Sequence, residues 1–157
     1  VGVEGFTGGC PNIVFTAKAG DVGNLTGERL TATQLLRAVG RVLDEAGLLA
    51  RHWCAFPDPD RHAWDLCLEP GPFSAEPSAD LPVRLEAGLQ EESMAYRFVR
   101  GQGLLRPLRV VVMAQGWLER LHEAKVRPGV SISQVKLPVV SPVLPYPEMV
   151  KCVLDQE

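Results

Sequence analysis

Residues 108–114, LRVVVMA, set the tightest limit on what this chain can fold into. One charge among seven residues, with three consecutive valines, cannot stand in water without a large cost, so the run reads as a central strand. The rest of the chain must then supply neighbouring strands and helices to pack on them.

The neighbours are readable. Asn12 to Ala19, NIVFTAKA, is β-branched and aromatic between Pro11 and Gly20, and reads as a strand. Thr31 opens a helix, and Gln34 three residues later completes a capping box. Leu35, Leu36, Val39, Val42, Leu43 and Ala46 recur at helical spacing as one buried stripe, and Gly47 stands where a left-handed cap belongs. HWCAF and AWDLCLEP flank PDPDRH as a hairpin. In its second arm Trp64, Leu66 and Leu68 alternate with Asp65, Cys67 and Glu69, the pattern of a half-buried strand. Residues 70–82 hold four prolines and read as a loop. A second helix fits Pro82 to about Val99, with Leu85, Leu89, Ser93 and Tyr96 on one face, and a third carries Trp117, Leu118 and Leu121. SISQVKLPVV, residues 131–140, is the last strand candidate. Pro138, Pro142, Pro145 and Pro147 then predict an extended tail draped over the sheet. The order is β-α-β-β-α-β, then a helix and tail: an α+β chain of ferredoxin-like order, with helices packed on one face of the sheet.

Several function classes fall away. Apolar residues make up 46% of the 157, enough for one domain with a real core. A net charge of -3 without a basic block argues against nucleic acid as the main partner. No apolar run approaches the roughly 20 residues that would span a bilayer. VGVEGFTGG has neither methionine nor a basic n-region, so it is no signal peptide, and the chain is expected to be a piece of something longer.

Cys10, Cys54, Cys67 and Cys152 lack zinc spacing, so no metal is expected. Cys54 and Cys67 would face each other across the hairpin, and Asn24-Leu25-Thr26 is a glycosylation sequon at Asn24. These two features keep a secretory or endoplasmic-reticulum lumen open beside the default cytoplasm, although buried or packed thiols are the ordinary outcome.

Catalytic constellations are scarce. His52, His62 and His122 read as solvated groups, Glu91-Glu92 as a solvated helix face, and Phe6-Thr7-Gly8-Gly9 as a flexible link without the lysine of a phosphate loop. Trp53, Trp64 and Trp117 read as core or interface aromatics. Lys136 is a lone cation in an apolar run. On the residues alone it is a lysine snorkelling from a strand edge.

A resemblance adds to this. RLEAGLQEESMAYRFVRGQGLLRPLRVVVMAQGWLERLHEAKVRPGVSISQVKLPVV resembles the C-terminal part of the Gretchen Hagen family, the auxin-responsive acyl acid–amido synthetases. The shared pattern is a helix with a tyrosine, an L-x-V-V-V strand, a small helix, and a Q-x-K-x-P element made here by Gln134, Lys136 and Pro138. FTGGCPNIVFTAKAGDVGNLTGERLTATQLLRAV, with Gly27-Glu28-Arg29-Leu30, is similar to the family's connection into that domain.

The resemblance implies an adenylate-forming enzyme: residues 1–20 as the end of an N-terminal domain and hinge, 21–145 as a mobile C-terminal lid, and 146–157 as a tail. It implies ATP with Mg2+, bound mainly by the N-terminal domain, and acyl acid and amino acid substrates. Lys136 takes the catalytic role, Gln134 a nucleotide contact, and Lys18 and Asp21 the hinge. The plant pattern's aromatic before the lysine and its trailing arginine are replaced here by Val135 and Val139. A non-catalytic relative acting as an interaction module is the alternative. By itself this segment is expected to catalyse nothing.

Overall fold

A computed structural model of the chain describes residues 2–14, 22–125, 137–142, 144 and 146–156. Its elements in order are β1 (Gly2–Thr7), β2 (Cys10–Val14), β3 (Val22–Gly23), β4 (Leu30–Thr31), α1 (Ala32–Glu45), β5 (Ala50–Asp58) and β6 (Ala63–Pro70). There follow α2 (Leu81–Glu92), α3 (Met94–Gly101), β7 (Arg109–Met113), α4 (Trp117–Lys125), a single 3-10 turn over Pro147–Met149, and β8 (Val150–Leu154).

Local chemistry explains the boundaries. The Thr31 hydroxyl accepts from the Gln34 amide at 3.3 Å while Gln34 Oε1 accepts from the Thr31 amide at 3.0 Å, so the expected capping box opens α1. The helix closes at Gly47, whose φ of +64° favours glycine, and the Leu48 amide turns back to the Leu43 carbonyl at 2.9 Å. The single helix expected over 82–99 is two. Ser93 adopts an extended backbone, ends α2 with its amide on the Leu89 carbonyl, and starts α3 with its hydroxyl accepting from the Tyr96 amide.

The α+β class holds: beside two small hairpins, the described residues form four helices and a mixed four-stranded sheet in the order β5-β6-β7-β8. β5 and β6 are antiparallel, β6 and β7 parallel, and β7 and β8 antiparallel. Its membership departs from the ferredoxin-like expectation. Within the expected first strand, the described residues 12–14 pair with β1 in a separate hairpin, where Gly8 and Gly9 make the turn that had read as a flexible link. The tail does not merely drape. Past the prolines, Val150–Leu154 becomes an edge strand on β7, drawn there by five residues able to continue that strand's ladder.

Both faces of the sheet are covered. On the first face Ala55, Trp64, Leu66, Leu68, Val110 and Val112 meet the buried stripes of α1, α2 and α3. On the second, Cys54, Cys67, Val111 and Met113 pack under Trp117 of α4, with Leu144, Tyr146 and Met149 of the tail against them. β6 is therefore not half-buried as its alternation suggested, since residues 63–69 are all buried. Asp65 and Glu69 can stay in its inner positions because arginines reach them.

Candidate functional site

Lys136, Gln134, Lys18 and Asp21 lie outside the described residues. The chain that follows Lys136 does not. The Ala55 amide donates to the Val139 carbonyl at 2.8 Å, and the Ser141 amide donates to the Ala55 carbonyl at 2.8 Å. Val140 thus stands parallel and opposite Ala55, on the outer edge of β5. The end of the last expected strand joins the sheet at one bridge.

Beside this anchor is an open-sided cleft of about 250 Å³. It is lined by Leu137, Pro138 and Val139, by Leu36 of α1, and by Ala50, Arg51, His52 and Trp53 of β5. Leu36 does not belong to the buried stripe in which its spacing placed it; it is 52% exposed and edges the cleft. Trp53 is partly buried and packs against the core. His52, expected as a solvated group, is also partly covered, and its ring lies 5.3 Å from that of Trp117. Of the other two histidines, His62 is exposed in the hairpin turn and His122 is partly covered on α4.

Charge at this end of the hairpin is fixed. Arg51 Nη1 donates to Glu69 at 2.9 Å and to Glu119 at 3.2 Å, and its Nη2 pairs with Glu119. Glu69 is fully buried and accepts from the amides of Gly116 at 3.1 Å and Leu118 at 2.6 Å, where a helix start welcomes an anion. The hydrogen bond from Arg51 holds Glu119 below the usual carboxylate range, and the same bond raises Arg51. One guanidinium faces two carboxylates.

Three more buried carboxylates are consumed structurally. Asp65 takes Arg109 at 2.7 and 2.6 Å and Arg61 at 3.1 Å. Glu86 takes the Tyr96 hydroxyl at 2.9 Å and the Leu108 amide at 3.0 Å; burial, then that carboxylate, push the tyrosine up. Glu28 takes the indole Nε1 of Trp64 at 3.0 Å and the amides of Leu25 and Thr26. Burial pushes Glu28 upward, but those donors together outweigh it and hold the carboxyl low. Gly23 lies on that same indole, where an added Cβ would come within 1.8 Å of the ring.

Cys54 and Cys67 face each other as the hairpin count required, and both are free thiols. Hydrogen bonding to Cys54 and then burial drive the Cys67 thiol upward, away from thiolate chemistry. Asn24 is exposed, and its Oδ1 accepts from the amides of Gly27 and Arg29. Among the described residues no group of three or more His, Cys, Asp or Glu is placed to hold a metal ion, and no helix is long and apolar enough to cross a membrane. Trp64 and Trp117 are core residues, and Glu91 is an exposed partner of Arg41 at 2.6 Å.

Sequence reading missed Arg51, Trp53 and Leu36 as neighbours of residues 137–139. A signal existed for the first: counting outward from Cys54 opposite Cys67 brings Arg51 and Glu69 to one end of the hairpin. Nothing in the sequence announced that Val139 would dock on Ala55.

Residues 33–143 match the family described as GH3 family C-terminal domain. No curated protein matches the chain. Among solved structures it is similar to a GH3.15 acyl acid amido synthetase, with 21% identity, a TM-score of 0.74, and coverage of 96% of this chain and 30% of that one. A second match is AtGH3.15 acyl acid amido synthetase in complex with 2,4-DB, at 20% identity and a TM-score of 0.74, covering 97% of this chain and 29% of that one. The likeness extends over the fold, and the chain spans less than a third of the length of these structures.

Proposed function

The chain belongs to the GH3 family, whose C-terminal domain it carries, and from that premise we propose that it is the small lid domain of an ATP-dependent acyl acid–amido synthetase. The observation that carries this reading is the family match from Thr33 to Val143, which runs through the Gln134-Val135-Lys136-Leu137-Pro138 element. The interaction-module alternative is not favoured, because the matched structures are synthetases.

In the first reaction a carboxylate oxygen attacks the α-phosphorus of ATP, the bond to the bridging oxygen breaks, and pyrophosphate leaves. Two anions must approach, and negative charge grows on the phosphoryl and bridging oxygens. The Lys136 ammonium, delivered when the lid closes, offsets that charge in the transition state. Gln134 contacts the nucleotide from the same element. In the second reaction an amine attacks the acyl carbonyl, AMP leaves, and an amide forms with loss of a proton.

ATP and its Mg2+ are held by a larger N-terminal domain, to which Lys18 and Asp21 form the hinge. The buried carboxylates described above are engaged by arginines, amides and an indole.

ATP–pyrophosphate exchange in the complete protein tests the reading. Lys136→Ala should slow exchange by about 100- to 1,000-fold, the scale of losing one transition-state donor, with an unchanged thermal midpoint. Exchange at the parental rate would remove Lys136 from the chemistry.

A further inference from the structure

We propose that Cys54 and Cys67 are a disulfide site, a cross-strand staple whose state is chosen while the β5–β6 hairpin is open and is then kept by the fold. Geometry brings the two sulfurs within reach of one bond. The residues are direct partners in an antiparallel register, flanked by Trp53 opposite Leu68 and Ala55 opposite Leu66. Opposed Cα atoms in such a pair stand about 4.5–5.5 Å apart, inside the roughly 4.4–6.8 Å that a disulfide spans. Both side chains enter the small cluster under Trp117, and their thiols are hydrogen-bonded to each other. The other two cysteines stand differently: Cys10 is opposite Thr7 and Cys152 opposite Val112.

Burial decides when the bond forms. Cys54 is 2% exposed and Cys67 fully buried, so no reagent of glutathione size reaches either sulfur in the folded domain. The Cys54 hydrogen bond and burial also hold the Cys67 thiol protonated, and exchange requires a thiolate. In the open hairpin both obstacles are gone. One cysteine thiolate attacks a sulfur of glutathione disulfide and expels one glutathione. The second thiolate then attacks the protein sulfur of that mixed disulfide and expels the other. The cysteines lose two electrons, the reagent gains them, and two protons end on the departing thiols. Where that reagent is abundant the chain folds stapled; where it is scarce the same chain folds as a dithiol.

The bond closes residues 54–67 and pins β5 to β6 beside Ala55, whose amide and carbonyl hold Val139 and Ser141. Closing a loop of about 15 residues restricts the unfolded chain, so the oxidised form is the more stable one.

Synthesis of the complete protein in a cell-free system, once with glutathione disulfide and once with dithiothreitol, tests this. Free thiols are alkylated in denaturant and the digested peptides are weighed. The oxidised product should carry Cys54 and Cys67 in one linked peptide pair and melt about 5–10 °C above the reduced product. Cys54→Ala should melt at the same temperature from both syntheses. Folded reduced protein placed in glutathione disulfide should gain the bond at least about 100-fold more slowly than the same protein in urea. Alkylated Cys54 and Cys67 in the oxidised product, or a bond from either to any other cysteine, overturns the proposal. So does an unchanged midpoint in the bonded protein. Bond formation as fast in the folded protein as in urea overturns it too, since the state would then follow the surroundings after folding. If Cys54→Ala does not fold, the peptide masses and the two rates in the parent still decide.

Discussion

The two faces of one sheet solve the same burial problem by different means. Toward α1, α2 and α3, β6 presents Trp64, Leu66 and Leu68, and nearly everything they meet is aliphatic or aromatic. Toward α4 and the tail, the same strand presents Asp65, Cys67 and Glu69 around a much smaller apolar cluster. The first face is held mainly by area removed from water, and the second by the arginine pairs of Asp65 and Glu69, the latter also accepting from two backbone amides. The Val139 anchor and Trp53 of the cleft pack against the first face, and the Arg51 cluster lies on the second. Directional bonds there set positions that a purely apolar face would leave free to slide.

Three substitutions would break or sharpen this contrast. Trp64→Ala removes the largest side chain of the first face and strips Glu28 of its indole partner. Urea unfolding should show a loss of about 3–5 kcal/mol. Glu69→Ala on the second face leaves the Gly116 and Leu118 amides without their acceptor, and a loss of about 2–3 kcal/mol is expected by the same method. A cost as large as that of Trp64→Ala would show that the charged face contributes equally to stability.

The smallest effect is a pH dependence. Glu28 has a folded carboxyl below its ordinary value, so its contribution is complete above the unfolded pKa of about 4.3 and disappears as pH falls through the lower folded value. Glu28→Gln should therefore be less stable than the parent at neutral pH, with the two unfolding midpoints converging as the solution is acidified below about pH 4. A gap that persists at low pH would mean that shape, rather than charge, matters at this position.

Local chemistry was legible in the sequence, and long-range partnership was not. Thr31 with Gln34, Gly47, the Cys54–Cys67 register and the central position of 109–113 each depend on residues a few positions apart or on one uninterrupted pattern. Leu36 failed because helical spacing defines a stripe about one residue wider than the sheet covers. The break at Ser93 failed because Leu85, Leu89 and Tyr96 keep the same buried side through it. β8 was hidden by Pro142 and Pro147, which do end regular structure; only the unpaired edge of β7, more than thirty residues away in sequence, restarts it. The Gln134 to Pro138 element rests on resemblance alone, and the surroundings of its described end, Leu137 and Pro138, belong to strands and helices whose meeting no short motif encodes.

The segment that leaves Leu137 is fastened at one rim of the sheet through Ala55, passes beneath with Tyr146 and Met149, and is fastened again at the opposite rim as β8. It works as a buckled belt: slack introduced at the far buckle travels back along the chain. A fusion, a cut or a crosslink at Cys152 would therefore be felt at Val139, on the opposite rim of the sheet.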